Sequence, residues 1–245
     1  MAQFSYFFAF PLNFLLALLW LVGLGLLWKH CPDSRLVRFF LSPFATVLAL
    51  TLLLVGGLWV GFSGDRGCVQ SVPFVLMLLY VQTVVYLITL RGWRRKGGQI
   101  RWRFLLIHAG FLLAVGSAFW GSPDSSELRV KLVPDQECVS AYKLDGSITA
   151  LRYELRLEDY SIDFNEEGKP VYYEAVVSVG DSDAKVITVN HPLSVSLGED
   201  IYLASVSEGG CVLQIVREPW RYFALTGILM LLLGAFMLFI KGPKR

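Results

Sequence analysis

The chain alternates between long apolar runs and short segments that hold nearly all of its charged residues. Five of the runs are long enough to cross the hydrocarbon core of a membrane, which takes about 20 residues of α-helix. None of the five contains Asp, Glu, Lys or Arg. The pattern therefore predicts five membrane-spanning helices, at Tyr6–Trp28, Ser42–Phe62, Val69–Leu90, Phe104–Trp120 and Tyr222–Ile240.

Between the fourth and fifth runs the pattern changes to alternation with a period of two. In Leu151–Glu158, Leu and Tyr alternate with Arg and Glu, which is typical of a strand with one buried and one solvated face. Segments rich in Gly, Asn and Asp separate it from similar stretches. The spacing predicts an antiparallel β-sandwich-like domain or a partial barrel. Its predicted strands are Leu151–Glu158, Val171–Val179, Lys185–Asn190, Ile201–Val206 and Cys211–Arg217.

These patterns divide the chain into three regions. Residues 1–120 are predicted to form a four-helix transmembrane region, residues 121–220 a β domain, and residues 221–245 a fifth transmembrane helix and a tail. The composition agrees, because 55% of the 245 residues are hydrophobic and only 17% are charged. An ordinary soluble protein carries more charge, so the fold class is that of a membrane protein with one folded domain outside the bilayer.

Lys and Arg accumulate in alternate loops, which predicts the orientation of the chain. The segment from Arg91 to Arg103 carries six basic residues, whereas the loop between the second and third spans has only Arg66. Basic residues also follow the first span and fill the C-terminal tail. The sequence therefore predicts an outside N-terminus, a cytoplasmic C-terminus and an extracytoplasmic β domain.

The overall net charge of +2 hides an asymmetry between the regions. Residues 121–221 contain 18 acidic and 9 basic side chains, a net charge of −9. An acidic domain of this kind argues against nucleic acid as a partner. It fits a basic protein client, or solubility alone.

The fourth span has two distinguishable sides. Gly110, Ala114 and Ala118 recur every four residues, and such a stripe of small residues lets another helix approach closely. His108 lies two residues from Gly110, which places it about 200° around the helix. We therefore expect the helix to pack on one side and to present an imidazole on the other.

Apart from cysteine thiols and tyrosine hydroxyls, His108 is the only ionisable side chain within the predicted spans. Hydrocarbon cannot satisfy its ring nitrogens, so the residue either has a function or makes a structural hydrogen bond to a neighbouring helix. A neutral imidazole is a common axial ligand of haem iron. Arg101, seven residues earlier on the same side, is either a partner for a haem propionate or an anchor at the cytoplasmic interface.

The other chemically notable residues have simpler interpretations. The segment His30-Cys31-Pro32 can bind haem through a thiolate, but the proline more simply ends a helix. His191 is predicted to be a turn residue at the end of a strand. Cys138 and Cys211 lie in the same predicted domain and could form a disulfide in an oxidising compartment. The sequence has no phosphate-binding Gly-rich loop and no apolar segment with paired carboxylates, so we expect a protein that is not an enzyme by itself.

The stretch from Trp102 to Lys241 resembles the ResB/CcsB family of cytochrome c biogenesis proteins. The resemblance is moderately specific, because it depends on the order and spacing of several short motifs. These are Leu155-Arg-Leu-Glu-Asp-Tyr160, Val171-Tyr-Tyr173, Val189-Asn-His-Pro-Leu193, Gly198-Glu-Asp-Ile-Tyr202 and Glu218-Pro-Trp220.

This resemblance implies a location and a function. It implies the bacterial inner (cytoplasmic) membrane, a periplasmic β domain, and a complex with a CcsA-type subunit that attaches haem to apocytochrome c. It also implies that His108 is an axial ligand of transiently bound haem b. The tryptophan-rich motif of CcsA is absent, so the ligase part is expected on another polypeptide and this chain is expected to be a non-catalytic subunit. The alternative is a membrane-anchored interaction or sensor module without haem.

Overall fold

The computed structural model describes residues 9–63, 71–95, 97–167, 170–207 and 209–240. These residues form two compact units. One contains Met1–Ser122 and Arg221–Arg245 and is helical; the other contains Pro123–Trp220 and consists mainly of β-strands.

The helical unit contains five helices that are long and apolar enough to cross a membrane, within the part of the chain that the structure describes. A sixth, short helix lies between the first two of them. The helices are α1 (Leu12–His30), α2 (Arg35–Phe40), α3 (Pro43–Ser63), α4 (Val72–Gly92), α5 (Trp102–Gly121) and α6 (Arg221–Ile240). The predicted starts of the first and third spans, at Tyr6 and Val69, lie outside the described residues.

The sequence pattern did not predict α2, which occupies an expected loop. Its N-terminus is capped by Ser34, whose Oγ accepts a hydrogen bond from the Val37 backbone N–H at 3.3 Å. Val37 is fully buried, whereas Leu36 is exposed. Six residues are too few for helical periodicity to be recognised, so only the capping serine could have indicated this helix.

Helices α5 and α6 pack in direct backbone contact. A Cβ atom at Gly110 would lie 2.8 Å from the Gly227 carbonyl oxygen, and one at Gly227 would lie 2.6 Å from the Ala114 backbone nitrogen. The small-residue stripe on the fourth span is therefore confirmed at Gly110 and Ala114. Ala118 is exposed and takes no part in this contact.

On the other side of the bundle, α3 and α4 share an apolar cluster. Ala45 and Ala49 of α3 pack against Val81 and Val84 of α4, and all four are buried. The Tyr80 hydroxyl donates a hydrogen bond to the Ala45 carbonyl oxygen at 3.1 Å. Small residues on α3 therefore allow α4 to approach it, much as Gly227 allows α6 to approach α5.

The β unit is one eight-stranded sheet in which every strand pair is antiparallel. The strand order is β5-β4-β3-β2-β1-β8-β7-β6. The strands are β1 (Ser126–Leu132), β2 (Glu137–Lys143), β3 (Ile148–Phe164), β4 (Pro170–Val179), β5 (Lys185–Thr188), β6 (Leu193–Ser196), β7 (Glu199–Ser207) and β8 (Gly210–Arg217).

Strict alternation builds the core of this sheet. Leu155 and Leu157 of β3 are at most 1% exposed, whereas Arg156 between them faces solvent. The sheet curls until its two edge strands meet, since Thr188 at the end of β5 forms a bridge with His191 just before β6. The predicted fold class is confirmed. The sequence predicted a sandwich-like domain or a partial barrel, and the rolled single sheet corresponds to the partial barrel.

Strands β1, β2 and β6 were not predicted, and β3 is longer than the predicted Leu151–Glu158. In β3 the register shifts between Leu157 and Asp159, which is the sign of a β-bulge. An extra residue at that point interrupts the alternation, so the pattern ends at Glu158 although the strand continues to Phe164.

We expect Gly227→Ala to destabilise the helical unit, because the added methyl would overlap the α5 backbone. The cost should be about 1–3 kcal/mol, typical of overpacking in a tight interface. Gly57→Ala is the matched control, since nothing lies within 4 Å of a Cβ at that position of α3. Thermal unfolding of the full chain in detergent measures both variants, and equal midpoints would contradict the close α5–α6 contact.

Candidate functional site

An ordered turn leads into α5 and sets the position of its first residues. The Arg101 backbone N–H donates to the Trp93 carbonyl oxygen at 2.7 Å, and Arg94 forms an antiparallel bridge with Ile100. Helix α5 then begins at Trp102. His108 follows six residues later, about 9 Å along the helix axis.

His108 has one polar contact, and that contact determines its tautomer. Its Nδ1 lies 2.9 Å from the Phe104 carbonyl oxygen, one turn earlier in α5. A carbonyl oxygen only accepts hydrogen bonds, so Nδ1 carries a proton and donates it. In the neutral ring, Nε2 then keeps a lone pair. The half-buried side chain thus offers one oriented nitrogen acceptor, and its hydrogen bond goes to its own helix rather than to a neighbour.

Phe104 connects His108 to Arg101. The His108 and Phe104 rings are stacked, with centroids 3.9 Å apart and planes inclined by 23°. The Arg101 guanidinium carbon lies 4.7 Å from the centroid of the same phenyl ring. Arg101 Nη1 also donates to the Gly92 carbonyl oxygen, at the end of α4, at 3.1 Å. The two predicted site residues therefore share one aromatic neighbour.

A second polar group inside the helical unit was missed at the sequence level. The Trp120 indole N–H donates to Gln82 Oε1 at 3.1 Å, and Asn13 Nδ2 donates to the Trp120 carbonyl oxygen at 2.7 Å. These contacts join α1, α4 and α5. Gln82 Nε2 is the only buried side-chain polar atom without a hydrogen-bond partner among the described residues. Asn13 and Gln82 could have indicated this polar group, because they are amide side chains within uncharged apolar runs.

The other histidines and Cys31 occupy exposed ends of elements. His30 is the last residue of α1, and Cys31 caps that helix through its backbone N–H. The His191 backbone N–H donates to the Thr188 carbonyl oxygen at 3.1 Å in an exposed turn. The turn interpretations of both segments match this geometry.

The sequence left open whether Cys138 and Cys211 form a disulfide, and in the structure both are free thiols. Cys138 lies on β2 and Cys211 on β8, and β1 runs between those strands. Strands two apart are separated by about 9–10 Å, beyond the roughly 7 Å that a disulfide can bridge. Burial raises the pKa of the Cys211 thiol to about 11.

This arrangement predicts unequal thiol reactivity. The raised pKa keeps the Cys211 thiol protonated at pH 7 and the side chain is 2% exposed, so a maleimide should modify it only on unfolding. Cys138 is half-buried and should react in the folded protein. Peptide mass mapping after brief labelling of a Cys31→Ser, Cys68→Ser variant measures both. A linked Cys138–Cys211 peptide under non-reducing conditions would contradict the structure.

The β unit contains a buried polar contact of its own. The Tyr153 hydroxyl on β3 donates to Glu199 Oε1 on β7 at 2.6 Å, and Arg217 Nε lies 4.0 Å from Glu199 Oε2. Burial, and then the bond to Glu199, raises the pKa of Tyr153 above its usual value. The contact crosses the interior of the rolled sheet, which indicates a structural role in holding β3 against β7.

No group of three or more His, Cys, Asp or Glu side chains capable of holding a metal ion occurs within the described parts of the chain. A metal centre at His108 would therefore take its other ligands from a macrocycle or from another chain. Haem has this property, because the porphyrin supplies four nitrogens and leaves only axial positions to the protein. One oriented imidazole fits such a requirement.

Five apolar helices and an eight-stranded β unit between the last two of them define a multi-pass membrane protein with one folded extramembrane domain. Within this class the chain resembles the ResB-like family. The sequence profile of that family matches residues 94–212, from the turn before α5 into β8. The matched stretch contains both Arg101 and His108, and the resemblance expected from the motifs is confirmed.

Similar curated proteins carry the name Cytochrome c biogenesis protein CcsB. The protein of Synechococcus sp. (strain CC9902) is 27% identical over 185 residues, which cover 68% of this chain and 42% of that protein. Those of Synechococcus sp. (strain WH7803) and Prochlorococcus marinus (strain MIT 9313) are 29% and 28% identical, over 53% and 47% of this chain. The chain thus spans less than half the length of these relatives. A solved structure of Cytochrome c Heme Lyase CcmF aligns over 92% of the chain with 14% identity and a TM-score of 0.43.

Proposed function

We propose that this chain acts in cytochrome c biogenesis as a haem-handling, non-catalytic subunit in the membrane. The similarity to proteins named for cytochrome c biogenesis supports the process. The observation that carries the haem-handling role is the orientation of His108, whose Nδ1–H is bound to the Phe104 carbonyl oxygen. That bond leaves Nε2 as the nitrogen that would coordinate haem iron.

The geometry favours a ligand over a catalytic base. The hydrogen-bond partner of His108 is a backbone carbonyl oxygen rather than a nucleophilic side chain. A ligating histidine typically donates its second ring N–H to a carbonyl or a carboxylate, which orients the ring and raises the basicity of the other nitrogen. His108 has this arrangement within a single helical turn.

The second axial ligand of the haem is proposed to come from a CcsA-type membrane subunit. His108 is the only histidine within the predicted spans of this chain, so a bis-imidazole site needs a partner helix. Such a site would hold haem b without a covalent bond to the protein, which would suit a transient cargo destined for apocytochrome c. The net charge of −9 on residues 121–221 favours a basic client at the β domain.

Arg101 is proposed to contact a haem propionate. Its side chain is exposed, and its guanidinium group has donors beyond the Nη1 bond to the Gly92 carbonyl oxygen. Phe104 contacts both Arg101 and His108, so the Arg101 guanidinium would be available to a propionate of haem held at His108. Charge-assisted hydrogen bonds between Arg and carboxylates are among the stronger polar contacts in proteins.

We expect His108→Ala to insert and fold, and to bind its partner, but to lose most of its haem. The helix keeps its packing against α6, because Gly110 and Ala114 are unchanged. Loss of the ligand should reduce haem in the purified complex by at least about 10-fold, and added imidazole should restore part of it. Absorption spectra of the complex co-expressed with a CcsA-type partner provide the measurement.

His191→Ala is the control, because that residue lies in an exposed turn of the β unit. It should retain haem and cytochrome c maturation. A His108→Ala complex with unchanged haem spectrum and full maturation would overturn the ligand assignment. The membrane-anchored interaction module without haem would then be the better description.

The proposed orientation places the turn before α5 in the cytoplasm and the β domain in the periplasm of a bacterial inner membrane. The six basic residues between Arg91 and Arg103 strongly disfavour translocation of that segment. Helix α5 then carries the chain across the membrane before β1 begins. The N-terminus lies outside and the C-terminus in the cytoplasm in this arrangement.

We expect an impermeant thiol reagent on intact cells to label Glu166→Cys but not Gln99→Cys, each placed in a chain without its native cysteines. Both positions are exposed, so accessibility to the reagent differs only through the membrane. Permeabilised cells should show equal labelling and serve as the control. Labelling of Gln99→Cys alone in intact cells would invert the topology.

A further inference from the structure

Phe104 makes two different contacts with His108. Its carbonyl oxygen accepts the Nδ1–H bond, and its ring stacks on the imidazole at a centroid distance of 3.9 Å. The first contact selects the tautomer, and the second restricts rotation of the ring plane. The orientation of Nε2 therefore depends on where the Phe104 side chain lies.

Gly92, the last residue of α4, determines where that phenyl ring can lie. A Cβ at Gly92 would overlap the Phe104 ring, 2.7 Å from Cε1 and 3.2 Å from Cε2. The ring thus occupies the space that any side chain at position 92 would need. The Gly92 carbonyl oxygen also accepts the Arg101 hydrogen bond at 3.1 Å. One residue of α4 thereby contacts both Arg101 and the ring that stacks on His108.

We propose that Gly92 and Phe104 are positioning residues for the haem ligand, and that the end of α4 sets the direction of the His108 Nε2 lone pair through the Phe104 ring. The inference deepens the proposed function and rests on it for the identity of the metal group. Neither residue needs to touch haem for this role. The contact runs from the Gly92 backbone to the Phe104 ring, and from that ring to the imidazole.

The first test measures His108 without haem. The sequence has three histidines, so His30→Asn with His191→Asn leaves His108 as the only one. The measurement uses full-length protein with ¹⁵N-labelled histidine in lipid bilayers. We expect one protonated Nδ1 and one unprotonated Nε2 resonance. Gly92→Ala and Phe104→Leu should each shift these resonances towards a mixture of tautomers.

The second test measures haem affinity of the complex with a CcsA-type partner as a double-mutant cycle. Gly92→Ala should weaken haem binding about 10-fold, as expected when a group that orients a metal ligand is disturbed. Phe104→Leu should have a similar effect. Because both act through the same ring, the double variant should also lose only about 10-fold, whereas independent effects would multiply to about 100-fold.

Gly116→Ala is the matched control on α5. A Cβ there would lie 3.8 Å from Gln82 Oε1, an ordinary contact, so the NMR signals and haem affinity should stay within about two-fold of the parent chain. If Gly92→Ala does not fold, Phe104→Leu still tests the proposal, because it removes the ring without adding a steric clash.

The outcomes separate the two proposals. Unchanged resonances and haem affinity in both single variants would overturn the positioning role while leaving His108 as ligand. A multiplicative loss in the double variant would also overturn it, because the route through Phe104 would be absent. Shifted resonances in a chain whose haem spectrum does not depend on His108 would overturn the proposed function but support the positioning contact.

Discussion

The inability of hydrocarbon to satisfy polar groups is the constraint on which the helical unit depends. Several polar side chains described within the bundle bond to a neighbour or to their own helix, although Gln82 Nε2 has no hydrogen-bond partner. His108 uses the Phe104 carbonyl oxygen, and Asn13 uses the carbonyl oxygen of Trp120. In a neutral imidazole this bond to Nδ1 leaves Nε2 as a hydrogen-bond acceptor. The orientation of the His108 ring therefore follows from the need to bond its N–H group within an apolar environment.

The five spans could be predicted because each is a long run without charge, and the period of two in β3 and β4 identified the character of the second unit. Strands β1 and β6 were not predicted, because they lie outside the segments in which apolar and polar residues clearly alternate. Whether Cys138 and Cys211 are bridged could not be decided from periodicity, because the order of strands in a sheet is a tertiary property. His108 and Arg101 could be selected from the sequence as intramembrane and interfacial residues. Their common contact with Phe104 could not, since it depends on a glycine of another helix.

Helix α5 is held closely on two sides by residues that lack side chains. Gly227 allows the α6 backbone to approach Gly110, and Gly92 allows the Phe104 ring to lie against the end of α4. Close contacts on both sides leave little freedom for the helix to rotate about its own axis. The side chains of α5, His108 among them, are therefore held in place by the surrounding packing.

The pairing of β1 with β8 has a consequence for how the β unit can be removed from the chain by protein engineering. Ser126 stands opposite Arg217, so the chain enters and leaves the β unit on adjacent strands, about 5 Å apart. The unit is thus a self-contained insert whose two ends already meet. It can be excised and replaced by a short linker, or exchanged for a different insert, without a change in the separation of the two points where the chain is cut. Such chimaeras would allow the membrane helices to be studied apart from the domain that interrupts them.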